Sequence, residues 1–260
     1  MAEPHIVAVA NQKGGVGKTT TAINLGTALA QAGHATILID LDPQGNASTG
    51  LGIDVDQRKL TAYDLLTGDE TLEQVLLPTD IPNLGLVPGT ADLTSADMEM
   101  AQTPDRTRLL RRKLASAAQG TIILIDCPPA LGLLTVNAMV AASSVLVPLQ
   151  AEFFALEGLS QLLGTVRHVR QTANPGLRIN GILLTMADQR TNLSQQVEAD
   201  ARTTLGDLVY TTVIPRNIRV SESPSHAMPV LIYDPQSKGT VAYRQFAREF
   251  AARLKLPEDA

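Results

Sequence analysis

Short apolar stretches rich in β-branched residues recur along the chain at 5–10 (HIVAVA), 36–40 (TILID), 84–88 (LGLVP), 121–126 (TIILID), 144–149 (SVLVPL), 181–185 (GILLT) and 211–215 (TTVIP). They are continuous rather than alternating, the pattern of strands buried on both faces. Between most of them the apolar positions fall at helical spacing, from Thr19 to Ala32, Arg106 to Ala118, Leu133 to Ala142 and Glu157 to Gln171. Strands that alternate with helices predict an α/β fold, a doubly wound, mostly parallel sheet with helices on both faces. In such a sheet ligands gather beyond the carboxyl ends of the strands, so the residues just after each strand are the ones to read for chemistry.

The first apolar run breaks at Gln12-Lys13-Gly14-Gly15-Val16-Gly17-Lys18-Thr19-Thr20, with a helical pattern following. A polyphosphate needs many N–H donors and a cation, and glycines let the backbone come close enough to aim its amides inward. Gly14, Gly15 and Gly17 supply that backbone. A helix starting near Lys18 adds its positive end, Lys18 reaches the β and γ phosphates, and the Thr19 hydroxyl ligates Mg²⁺. This is a P-loop NTPase element, with a departure: the usual leading glycine would fall at Gln12, and a second lysine, Lys13, sits at the mouth of the loop.

Two further strands end in carboxylates. Asp40 and Asp42 lie two residues apart in DLDPQGN, on one side of the chain while it stays extended, so both can face the phosphates; capping of a strand end is the plainer reading. The run TIILID ends on Asp126, the Walker B pattern. A carboxylate buried there would tend to protonate unless a divalent ion stood near it, and Asp126 is expected to act on Mg²⁺ through a water. Cys127 has no basic neighbour in sequence and reads as a small buried residue rather than a nucleophile.

The string KGGVGKTT resembles the deviant Walker A of the ParA/MinD family, in which the first lysine, here Lys13, crosses a dimer interface to the partner's nucleotide. DLDPQGN resembles that family's switch I, which implies that Asp42 aligns the attacking water and Asp40 supports the magnesium site. Cys127-Pro128-Pro129 resembles switch II. TMADQRTNLSQQV (185–197) and TTVIPRNIRVSESPSHAMPV (211–230) resemble two stretches of the chromosomal ParA, or Soj, group. By that resemblance Pro215 and Asn217 line the adenine, Gly14, Gly15, Val16, Gly17 and Thr20 join the nucleotide cradle, and Arg190 and Arg219 contact DNA. Ordinary surface ion pairing is the alternative for the two arginines.

The resemblance covers about residues 5–255 and implies a partition ATPase. ATP and Mg²⁺ would join two copies into a homodimer that binds DNA without sequence preference, and a ParB-like partner would stimulate slow hydrolysis, for chromosome or plasmid segregation. A protein cluster as cargo is a variant of the same reading.

Composition narrows the alternatives. Net charge is −5, yet Arg167 to Lys255 holds twelve Lys/Arg against seven Asp/Glu, which leaves room for a local basic face or for an ordinary solvated surface. Arg106, Arg108, Arg111, Arg112 and Lys113 would point around several faces of a helix and read as solubilising. The one cysteine leaves no cluster-ligating set for the iron protein that shares this loop, and fits a reducing cytoplasm. The tail lacks the tyrosines of a bacterial tyrosine kinase.

A MinD-like membrane-surface ATPase would need a C-terminal amphipathic helix. In VAYRQFAREFAARLKL, Tyr243, Phe246, Phe250 and Leu254 form one apolar stripe, suited either to a membrane or to docking on the sheet. Docking is the expectation, without stable membrane anchoring. His34, His168 and His226 lack metal-ligand spacing and read as surface or loop residues. Residues 1–260 are expected to form a single domain with no N-terminal DNA-binding extension, cytoplasmic and nucleoid-associated.

Overall fold

The computed structural model describes residues 3–152, 155–188 and 190–256, with backbone alone at 155–157. In chain order the elements are β1 (His5–Val9), α1 (Lys18–Gln31), β2 (Thr36–Asp40), α2 (Asn46–Gly50), α3 (Ala62–Thr67), α4 (Leu72–Val75), β3 (Leu77–Pro78), β4 (Leu84–Val87), α5 (Leu93–Ala101) and α6 (Leu109–Lys113). They continue with β5 (Ile122–Asp126), α7 (Leu133–Ala141), β6 (Ser144–Gln150), α8 (Ala155–Thr172), β7 (Arg178–Thr185), α9 (Asn192–Leu205), α10 (Ile218–Glu222), α11 (Val230–Tyr233) and α12 (Lys238–Leu254).

The strands form one sheet in the order β3-β4-β2-β5-β1-β6-β7. Every pairing is parallel except that of the two-residue edge strand β3 with β4. Successive residues of the central strands feed opposite cores. Ala8, Ile39, Ile123 and Ile125 pack on the face covered by α3, α5, α6, α7 and α8. Val7, Val9, Leu38, Ile122 and Leu124 pack on the face covered by α1 and α12. Burial on both sides is why these strands read as unbroken apolar runs.

Tyr243, Phe246, Phe250 and Leu254 of α12 are all buried in the second of these cores, and α12 runs against α1. The apolar stripe of the tail is thus spent on docking. No helix of the described residues is long and apolar enough to cross a membrane.

Two of the expected elements differ. The run at 211–215 is not a strand: it follows the edge of β7 through isolated bridges at Val209 and Pro215. Its Thr211 and Thr212 N–H groups donate instead to the Glu249 carboxylate on α12, at 2.7 and 2.9 Å, and Pro215 has no N–H to give a ladder. The helix expected from Arg106 to Ala118 shrinks to α6 and a 3₁₀ turn at Leu114–Ser116. Asp105 turns the chain at φ 56°, and the Asn137 side chain takes the Arg106 carbonyl and the Leu110 N–H, so helical bonding starts late. His34 is a loop residue but a buried one.

Candidate functional site

The carboxyl ends of β1, β2 and β5 lie side by side, with Val9 opposite Asp126 and Asp40 opposite Asp126 in the parallel registers. The glycine-rich loop leaves β1 at this edge and enters α1. Gly15 and Gly17 have φ of 72° and 86°, left-handed conformations that a side chain would strain. Gly17 caps α1 with no side-chain hydrogen bond, and the first turn holds no acidic residue. The helix therefore presents uncapped N–H groups and its positive end to whatever occupies the loop. Val16 is buried, and its carbonyl accepts the Thr185 hydroxyl at 2.8 Å, which ties the loop to the end of β7.

Lys18 is only 6% exposed, and its Nζ donates to the Lys13 carbonyl at 3.1 Å. Burial lowers its pKa, opposed by the carboxylates of Asp126 and Asp42. Asp126 is fully buried, and neither of its carboxylate oxygens has a hydrogen-bond partner of good geometry. Burial pushes its pKa well up, the Asp40 charge adds to the rise, and Thr19 and Lys18 oppose it. An orphaned carboxylate at a strand end costs free energy unless something cationic occupies the space beside it. Cys127, next in the chain, is fully buried with its thiol pKa raised chiefly by that burial, which suits an inert packing residue.

Asp40 and Asp42 are both buried but differently engaged. The Asp40 Oδ2 accepts the Ser48 N–H at 2.9 Å and the Ser48 hydroxyl at 2.7 Å, and its Oδ1 accepts the Asp42 N–H at 3.2 Å. Burial raises the Asp40 pKa to about 6, with the Ser48 bonds pulling the other way. Asp42 accepts one bond at Oδ1, from the Gln44 N–H at 3.0 Å. Asp40 is thus committed to holding the loop, while Asp42 keeps accepting capacity beside Lys18.

A cavity of about 210 Å³ runs from Gly17 and Thr20 to Pro215, Arg216 and Asn217, so the two residues expected at the base share a pocket with the phosphate loop. Asn217 also caps α10, accepting from the Arg219 and Val220 N–H groups. Lys13 points its Nζ at Glu152, 2.9 Å away, with both side chains about half exposed. Such a pair is weak and readily exchanged.

Arg190 and Arg219 lie apart from the carboxylates. Arg190, 86% exposed, grips Asp188 with two donors at 2.8 and 2.7 Å and holds its pKa down to about 2. Arg219 pairs with Glu222 at 3.1 Å and Asp234 at 3.3 Å. Sequence reasoning missed Arg216, which is exposed and lines one cleft of about 690 Å³ with Arg190 and Lys238. Its signal was its place between Pro215 and Asn217. A wider cleft of about 740 Å³, between α5, α7 and α8, includes none of the phosphate-loop residues.

A family model described as an AAA domain matches residues 4–179. The chromosome partitioning protein ParA of Caulobacter vibrioides is 55% identical over 252 residues, covering 96% of this chain and 94% of its own. The chain belongs to the ParA/Soj family of chromosome-partitioning ATPases. A second member, the sporulation initiation inhibitor protein Soj of Bacillus subtilis, is 49% identical over 95% of this chain and 98% of its own. Among solved structures, a Mycobacterium smegmatis protein titled cobyrinic acid a,c-diamide synthase, with bound ATP analogue and magnesium, is 37% identical. It superposes with a TM-score of 0.84 over 98% of this chain and 96% of its own.

Proposed function

We propose that this ParA/Soj protein is a nucleotide-switched partition ATPase acting in one domain, in chromosome or plasmid segregation. The observation that carries the reading is the convergence of buried Lys18, orphaned Asp126 and under-used Asp42 on the open start of α1. ATP is the substrate that fits: the glycine amides and Lys18 hold its phosphates, and Pro215 and Asn217 flank its base. Mg²⁺ fits the same set, because Asp126 needs a cation and Thr19 offers an oxygen beside it. When bound, such an ion would supply positive charge against the negative charge that develops on the phosphates in the transition state. In this reading Thr19 would ligate the ion directly and Asp126 would act on it through a water.

Asp42 orients the attacking water at the γ-phosphate. Lys13 leaves Glu152 for the nucleotide of a second copy, an exchange that costs little because the pair is exposed. The homodimer then grips DNA phosphates through Arg190 and Arg219, which trade or share their carboxylate partners, and a ParB-like activator hastens hydrolysis and release. Affinity of this kind is insensitive to sequence and falls with salt. The 55% and 49% identical relatives support this reading over an amide-forming one.

Sedimentation velocity tests it. Asp42→Ala with ATP should run as a dimer and with ADP as a monomer, and Lys13→Ala added to it should return the ATP form to monomer. A monomer under all conditions would contradict the switch.

A further inference from the structure

Arg58 belongs to no motif, yet it is 9% exposed, unusual for a guanidinium outside an ion pair. Its donors all go to neutral oxygens: Nε and Nη2 to the Ile53 carbonyl at 3.1 and 2.7 Å, Nη2 to the Thr49 hydroxyl at 2.8 Å, and Nη1 to the Gly89 carbonyl at 3.1 Å. Burial lowers its pKa, and the charges of Asp40 and Asp54 oppose that. The seat is tight, since a Cβ on Gly45 would fall 2.5 Å from Nη1 and 2.8 Å from the Gly89 carbonyl. A planar fork fits between these backbones; a lysine ammonium reaches fewer of the acceptors.

The contacts close into a ring. Gly89 donates its N–H to the Ser48 hydroxyl at 3.0 Å, and Ser48 donates twice to Asp40. Asp40 accepts the Asp42 N–H. Asp42 accepts the Gly45 N–H at its carbonyl, 2.9 Å away, and Gly45 accepts the Thr49 hydroxyl that Arg58 holds. Each member fixes its neighbour, and Asp42 is the member whose carboxylate has an oxygen to spare and whose charge acts on Lys18.

We infer that Arg58 is a positioning residue for hydrolysis, holding the 40–50 loop against Gly89 so that the Asp42 carboxylate stands where the water must be oriented. The inference rests on the role given to Asp42 above. A shift of about 1 Å at such a group costs roughly 100-fold in rate, so slackening one link should show in turnover before it shows in binding.

The test compares Arg58→Gln, Arg58→Lys, Ser48→Ala and Asp42→Ala in single-turnover ATP hydrolysis with protein in excess. Nucleotide affinity, Tm and amide hydrogen exchange are measured alongside. The expected result is a fall of about 10- to 30-fold in rate for Arg58→Gln, with affinity within about threefold of the parent and no rescue by Arg58→Lys. The Ser48 and Gly89 amides should exchange faster while those of 15–20 do not. Ser48→Ala with Arg58→Gln should be no slower than the worse single variant, because both open the same ring. Parent-like turnover in Arg58→Gln and Arg58→Lys, with Asp42→Ala inactive, would overturn the role of Arg58 alone. Rate, affinity and Tm falling together, with faster exchange across the sheet, would also overturn it, as would additive losses in the Ser48 pair. Asp42→Ala turning over like the parent would overturn the reading of Asp42 itself.

Discussion

The phosphate edge and the arginine surface are built on opposite terms. At the edge, Lys18, Asp40, Asp42 and Asp126 are all buried, their charges act on one another at low dielectric, and neither Asp126 oxygen has a hydrogen-bond partner of good geometry among the described residues. On the surface, Arg190 and Arg219 are exposed and each is already paired with a carboxylate two to fifteen positions away. Burial makes the edge a site before any ligand arrives; exposure makes the arginines exchangeable contacts whose worth depends on salt. Loss of a group at the edge should therefore be severe and specific to nucleotide, and loss at the surface graded and specific to DNA.

Lys18→Ala should break the comparison hardest, weakening nucleotide binding about 500-fold in a fluorescence titration, because it removes the buried cation from a site of carboxylates. A change under threefold would mean that the phosphates lie elsewhere. Asp42→Ala should cut single-turnover hydrolysis about 100-fold and leave ATP affinity near that of the parent. Arg190→Glu and Arg219→Glu should each weaken DNA binding roughly 10-fold at moderate salt, flatten the slope of log affinity against log salt by about one or more, and leave ATP affinity alone. If either one alters ATP affinity as much as DNA affinity, the two regions are not separable as described.

The smallest effect concerns pH. Asp126 and Asp40 have pKa values raised in the fold, so the native protein holds protons that the unfolded chain has already lost above about pH 4. Their ionisation costs stability as pH rises, for Asp40 through about pH 6, and acidification returns it. Asp126→Asn should raise the Tm of the nucleotide-free protein by about 3 °C at pH 8, with the gain shrinking toward pH 5. The same variant should lose most of the effect of Mg²⁺ on nucleotide affinity. A gain that is constant with pH would place the carboxylate's charge elsewhere.

Much of this was legible in the chain. Strands buried on both faces announce themselves as apolar runs, and six of the seven expected runs are strands. The seventh, 211–215, has the same composition, but Glu249 of α12 takes the Thr211 and Thr212 N–H groups, a contact 37 to 38 positions away that no local pattern reveals. β3 is two residues long and too short to leave a period. That the loop at 13–20 and the aspartates at 40, 42 and 126 would meet at the carboxyl ends of the strands was readable because each follows directly on an apolar run. The division of labour between Asp40 and Asp42 was not, since it depends on Ser48 folding back onto one of them. Arg58 left no signal at all: its buried seat is closed by the Gly89 carbonyl, 31 positions on.

The central claim is that the occupant of the edge decides whether the arginine surface holds DNA. Co-sedimentation of Asp42→Ala with nonspecific duplex DNA and, separately, with anionic liposomes, each with ATP, ADP or no nucleotide at two salt concentrations, tests it most directly. The account predicts DNA binding with ATP alone, weakened by salt and by Arg219→Glu. DNA binding indifferent to nucleotide, or ATP-dependent liposome binding without DNA binding, would contradict it.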